Sequence, residues 1–116
     1  MNEPDRRKAF RAPRAFLVRY RPPTSSGAWL MSPLRDISGS GARFLSEYMK
    51  FRGGDVLEVQ LVLPNVPQPL PVVAKVMWVK PGKLRGTVEL GVAFEFTEEL
   101  DKTAVTEAAE FFDRRK

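Results

Sequence analysis

The sequence predicts a mainly β domain, a barrel or sandwich carrying one C-terminal helix, and three observations predict it. Apolar and polar residues alternate over short stretches separated by Gly- and Pro-containing turns. The period lengthens to a helical one only after Thr97. The chain has 116 residues, 43% hydrophobic and 28% charged, which suits one domain around one modest core.

Residues 1–13 carry charge without apolar periodicity and read as a mobile arm. It ends at Pro13, because a proline disfavours helix at the residue before it. Residues 14–116 are the domain. Residues 15–21 (AFLVRYR) have strand composition and stop at Pro22-Pro23; 24–27 is a loop. Residues 28–37 (AWLMSPLRDI) read as a second strand, broken or bulged at Pro33, which cannot donate to a ladder. Residues 38–41 are a turn with two glycines, and 42–45 (ARFL) a short strand. After the Gly53-Gly54 turn, residues 55–63 alternate, with Leu57, Val59, Leu61 and Leu63 on one face.

Residues 65–69 form a proline-rich loop, and 70–80 a strand carrying Trp78. Pro81-Gly82 and Gly86 mark a hairpin connection, with Lys80, Lys83 and Arg85 as its solvated charges. Residues 87–96 (TVELGVAFEF) alternate again, with Val92, Phe94 and Phe96 facing one way. Trp78 and Phe94 are expected in the core; Trp29 suits either core or surface. Closing a barrel would remove the edge strands that invite aggregation. Thr97 is a suitable N-cap, with Glu98 and Glu99 in the first turn. Leu100, Ala104, Ala108, Phe111 and Phe112 form one helical stripe that would pack on the barrel, and Arg114, Arg115 and Lys116 complement the C-terminal end.

Composition narrows the function. There is no histidine and no cysteine. The usual neutral-pH base, Ser–His and Cys–His nucleophiles, disulfides and thiolate zinc sites all drop out. Glu98, Glu99 and Asp101 do not match a calcium-loop spacing. The expectation is a non-enzymatic protein without metal or cofactor. No apolar run approaches a membrane span, and residues 1–8 lack an apolar export segment, so a cytoplasmic home is expected. The net charge of +5 is unevenly spread: Arg6, Arg7, Lys8, Arg11, Arg14, Arg19 and Arg21 crowd the start and acidic residues the end. A basic start suggests an anionic partner.

Two motifs stand out. Arg7-Lys8-Ala9-Phe10-Arg11 is an RxxxR in the arm. In an extended segment its two arginines point the same way, roughly 13 Å apart, so they can grip two features of one elongated ligand. A guanidinium fits phosphate oxygens or the O6/N7 edge of guanine bidentately and can stack on a base. Asp36-Ile37-Ser38-Gly39-Ser40-Gly41 is a DxSxxG at a strand end. Asp36 suits a group with two adjacent N–H donors, as guanine N1 and N2 offer; Ser38 donates or accepts; Gly39 and Gly41 permit positive φ and close approach of the backbone to a ligand. A plain Asx turn also explains Asp36.

Together the motifs, with "RRKAFR", "DISGSGARF", "VMWV" and "LGVAFEF", resemble the PilZ family over nearly the whole chain, with no departure at Arg7, Arg11, Asp36, Ser38 or Gly41. The resemblance implies an antiparallel barrel of about six strands with a closing helix. It implies binding of cyclic di-GMP, with the arm folding over the ligand: Arg7 and Arg11 on phosphate and guanine, Asp36 and Ser38 on the guanine edge, Gly41 shaping the turn. Arg6 stands where the family resembles a selector between one and two ligand molecules, and we expect an intercalated pair. Lys8 and Arg43 are further candidate contacts, and Arg35 is placed much as Arg43 is. A lone domain would signal to a separate protein partner in motility, polysaccharide or regulatory machinery. The competing readings are a ligand-independent docking module and a small RNA or single-strand DNA binder; the lack of a surface aromatic ladder argues against nucleic acid.

Overall fold

Alternation in the sequence becomes alternation in burial. In the computed structural model, which describes residues 16–22 and 28–115, the strands are β1 (Leu17–Arg21), β2 (Leu30–Ile37), β3 (Gly41–Ser46), β4 (Val56–Val62), β5 (Leu70–Pro81) and β6 (Val88–Glu95). One helix, α1 (Glu99–Arg115), follows. The strands close in the order β1-β2-β3-β6-β5-β4, all neighbours antiparallel, and β4 returns to β1 through pairs such as Tyr20 with Val59. This is the six-stranded antiparallel barrel with a C-terminal helix that was expected. The arm, residues 1–13, lies outside the described residues.

Leu57, Val59, Leu61 and Leu63 are all buried, as their spacing predicts. They meet Val18, Tyr20, Phe44, Val76 and Leu90 inside the barrel. A fully buried side chain of this size stabilises the fold by roughly 1.5–3 kcal/mol. The Tyr20 ring packs on Phe44 with centroids 5.0 Å apart, and its hydroxyl accepts a hydrogen bond from the Glu47 amide at 3.3 Å. α1 closes one end of the barrel: Phe112 stacks on Phe16 at 5.0 Å, and the Asn65 side-chain amide donates to the Ala104 carbonyl at 2.9 Å.

Four expectations need correction. Pro33 does not break β2; it stays in register opposite Leu17, and the irregularity falls between Leu34 and Asp36 on the β3 side. The Leu34 amide donates to the Phe16 carbonyl at 3.0 Å. Alternation then turns the Pro33 nitrogen, which has no hydrogen to give, towards β3, where the pairing shifts. The helix cap falls on Glu98, whose carbonyl accepts the first bonds, from Asp101 and Lys102, one residue later than expected. The buried helical face is Val105, Ala108, Ala109 and Phe112, whereas Leu100 is 81% and Phe111 46% exposed. Leu100, Ala104 and Phe111 follow one line along the helix, and that line lies to the side of the buried face.

Trp78 is the fourth correction: it is 38% exposed and outside the core. Val72, Ala74 and Val76 point inwards, but the pairing skips from Val76 opposite Val92 to Trp78 opposite Gly91. Met77 is the extra residue of a bulge, and it moves every later side chain of β5 to the opposite face. Phe94 is partly buried and packs against the core, edge-on to Phe96 at 5.7 Å.

Candidate functional site: a charged and aromatic row on the barrel wall

The DxSxxG motif forms the tight β2–β3 connection. The Ser38 amide donates to the Gly41 carbonyl at 2.8 Å, and the Ser38 hydroxyl oxygen accepts from the amides of Ser40 and Gly41, both at 3.2 Å. Asp36 accepts from the Ile37 amide at 2.9 Å. Neither Gly39 nor Gly41 has positive φ, contrary to one of the two reasons for expecting glycine there. Gly41 is required by packing within the barrel instead: a Cβ there would run into the Val92 carbonyl oxygen of β6.

Cross-strand pairing then builds a row over four strands on the outer wall. Asp36 of β2 pairs with Arg43 of β3, Arg43 with Gly91 of β6, and Gly91 with Trp78 of β5. The Arg43 guanidinium links two carboxylates, Asp36 at 3.4 Å and Glu89 at 3.3 Å. Lys80 reaches Glu89 at 3.9 Å and stands 5.1 Å over the Trp78 ring. The Trp78 ring lies on Gly91; a Cβ at position 91 would collide with it. The half-exposed Asp36–Arg43 pair adds little stability, as surface pairs do at about 0–1 kcal/mol. A carboxylate, a guanidinium and an indole face therefore stand together on the wall, and the exposed ion pair among them adds little to the fold.

Asp36, Ser38, Gly41, Arg43 and Trp78 line one shallow cavity of about 260 Å³. It is an open floor rather than an enclosing pocket. A groove of about 360 Å³ between Trp29, Pro71, Phe96 and Asp101 is roomier, but its cation is engaged: Arg21 pairs with Glu58 and stacks 4.5 Å over Trp29. Trp29 is half-buried there, between the two alternatives its sequence position allowed. Among the described residues no cluster of three potential metal ligands occurs, and no helix is long and apolar enough to cross a membrane.

The structure thus brings Asp36, Ser38, Gly41 and Arg43 together. Arg35, at the shift in β2, points outwards and is exposed. Arg6, Arg7, Lys8 and Arg11 lie outside the described residues. Sequence reasoning missed Trp78 and Glu89. Gly91, in the middle of an alternating strand, was the available signal, because glycine there marks a bulge or a close approach.

The sequence matches the PilZ domain family over residues 5–112. No curated protein matches it. Three solved structures are similar in fold. The inhibitor of motility MotI/DgrA of Bacillus subtilis gives a TM-score of 0.69 at 13% identity, over 87% of this chain and 47% of that one. The PilZ domain of YcgR from Escherichia coli, determined with c-di-GMP, gives 0.62 at 15% identity, over 88% and 84%. MrkH from K. pneumonia gives 0.65 at 18% identity, over 90% and 48%. The chain spans about half the length of the MotI/DgrA and MrkH chains.

Proposed function

The chain belongs to the PilZ domain family, whose members are binding and adaptor proteins, and from that premise we propose that it is a cyclic di-GMP receptor that signals to a separate protein partner. One observation carries the reading: the Asp36–Arg43–Gly91–Trp78 row beside the DxSxxG turn. Asp36 accepts the N1–H and N2–H of a guanine, a service that adenine cannot use. Arg43 faces a phosphate or the guanine O6/N7 edge. Trp78 offers an indole face to a purine.

Chain connectivity supports a contribution from the arm. Phe16 joins β2 at Leu34, two residues before Asp36. Arg11 is five residues upstream of Phe16, within about 17 Å of extended chain. Arg7 and Arg11 are in reach of a ligand on that floor and would close it from above. Arg6 and Lys8 are proposed as further phosphate contacts, and a cytoplasmic protein would meet this ligand.

Calorimetric titration tests this. Cyclic di-GMP is expected to bind, and a random oligonucleotide to give no comparable heat. Arg7→Ala and Arg11→Ala are each expected to weaken binding by roughly 1.5–3 kcal/mol, the worth of one charge-assisted contact, with an unchanged melting temperature. Unaltered affinity in both variants would remove the arm from the site, and no binding by the parent chain would leave the ligand-independent docking module as the better reading.

A further inference from the structure

Two apolar surfaces are left uncovered by the described residues, and their charges are complementary. The first is a groove of about 340 Å³ on the outer wall of β2 and β3, bounded by Met31, Pro33, Leu45 and by Leu84 of the β5–β6 connection. Met31 is 58% and Leu84 62% exposed. Arg35 lines the groove, and Lys83 and Arg85 flank Leu84 in sequence. None of these three cations has an ion-pair partner among the described residues, whereas Arg21, Arg43 and Lys80 do. Glu47 is the one carboxylate in the lining.

The second surface is the side of α1 that the barrel does not cover. Leu100 and Phe111 lie on one line of that helix, and both are exposed. Glu107 shares the line, one turn before Phe111, and Glu110 borders it; both are exposed and without an ion pair among the described residues. Arg114 stacks on Phe111 at 4.9 Å and is the exception to the acidic character.

We infer that the α1 stripe of one copy docks in the β2–β3 groove of a second copy, with Phe111 as the apolar anchor and Glu107 and Glu110 facing Arg35, Lys83 and Arg85. Aromatic anchors in apolar hollows with charged rims are the usual form of such contacts. An anionic membrane is the poorer occupant, because Glu47 lines the hollow and would oppose an anionic surface. The contact joins two different patches, so it is heterologous: each copy offers one helix and one groove. The inference stands apart from cyclic di-GMP binding, since neither Arg43 nor Trp78 takes part.

Sedimentation of the full chain over a wide concentration range tests it. The parent is expected to associate, less so at high salt. Leu84→Glu and Phe111→Lys are each expected to weaken association by about tenfold or more, because like charges then oppose across the contact. Both positions are exposed, so circular dichroism should be unchanged. The decisive experiment mixes the two variants. Leu84→Glu keeps an intact helix and Phe111→Lys an intact groove, so the mixture should form a two-chain species that stops there. Arg35→Glu should weaken association, and Glu107→Lys in the same chain should restore it. A parent that stays monomeric throughout, or association that persists in both single variants, or a mixture that stays monomeric while the parent associates, would each overturn the proposal.

Discussion

Asp36 serves the turn and the proposed site with one carboxylate. One oxygen accepts from the Ile37 amide at 2.9 Å, and the other faces Arg43 at 3.4 Å, long for an ion pair. A pair of guanine N–H donors can take over at the second oxygen without undoing the turn. Asp36→Ala is therefore expected to reduce the preference for cyclic di-GMP over cyclic di-AMP, measured by paired titrations. An undiminished preference would confine Asp36 to the turn. Tyr20 gives a prediction on stability instead. Its ring is almost inaccessible, and burial pushes the phenol above its ordinary value of 10.0, although hydrogen bonding at Ser46 and Glu47 acts the other way. The folded state thus holds the proton more tightly than the unfolded chain. The resulting stability is complete below about pH 10 and is lost as pH rises through the raised value. Denaturant midpoints are expected to fall across that window, and Tyr20→Phe should flatten the fall. A parallel fall in both proteins would assign the alkaline loss to other groups.

At the scale of the element, the bulge in β5 decides what the wall displays. Without the bulge at Met77, regular alternation would carry Trp78 into the inward series of Val72, Ala74 and Val76. With it, the indole lies outside on Gly91. Gly91→Ala is expected to lift the ring and to weaken cyclic di-GMP binding by about 1–3 kcal/mol, the range for one base–aromatic stack. The fluorescence of Trp78 should shift towards that of a more exposed indole. Binding that is undiminished while the fluorescence shifts would exclude Trp78 from the site. The same bulge explains what was legible in the sequence. β4 could be read residue by residue, because period two fixes each face of an uninterrupted strand. In PVVAKVMWVK nothing marks Met77 as the residue that reverses the parity, so Trp78 was expected on the wrong face. Asp36, Ser38 and Gly41 were legible because a short motif keeps them adjacent, and Arg43 because it alternates with buried Ala42 and Phe44. Glu89 was not, because its link to Arg43 exists only through the β3–β6 register. The helical stripe was misplaced by about one position: apolar spacing alone did not show that Leu100 and Phe111 lie beside the buried face.

At the scale of the molecule, a closed barrel has no edge strand to offer, and its interior is filled by side chains such as Tyr20, Phe44, Leu61 and Leu90. In the proposed site the ligand would lie against the outer wall, and the groups that enclose it would come from outside the barrel. The basic arm precedes Phe16, which lies beside the proposed floor, so on the proposed reading its charge would set how much anion the site can hold. Two stacked molecules of cyclic di-GMP carry four phosphate charges. Arg7 and Arg11 supply two positive charges, and Arg6 and Lys8 are placed in sequence to supply the rest. A guanidinium at Arg6 can also stack on an outer guanine and retain the second molecule. The expected stoichiometry is therefore two molecules per chain, read from calorimetric titration at low ionic strength, where phosphate contacts are strongest. Arg6→Leu removes one charge and one stacking plane while leaving the RxxxR motif and the barrel wall intact. Its ratio is expected to fall towards one, with the first molecule still bound through Asp36, Arg7 and Arg11. If Arg6 is one more solvated charge, the ratio will be the same in parent and variant. A ratio of one in the parent protein would end the two-molecule reading, whatever the variant does.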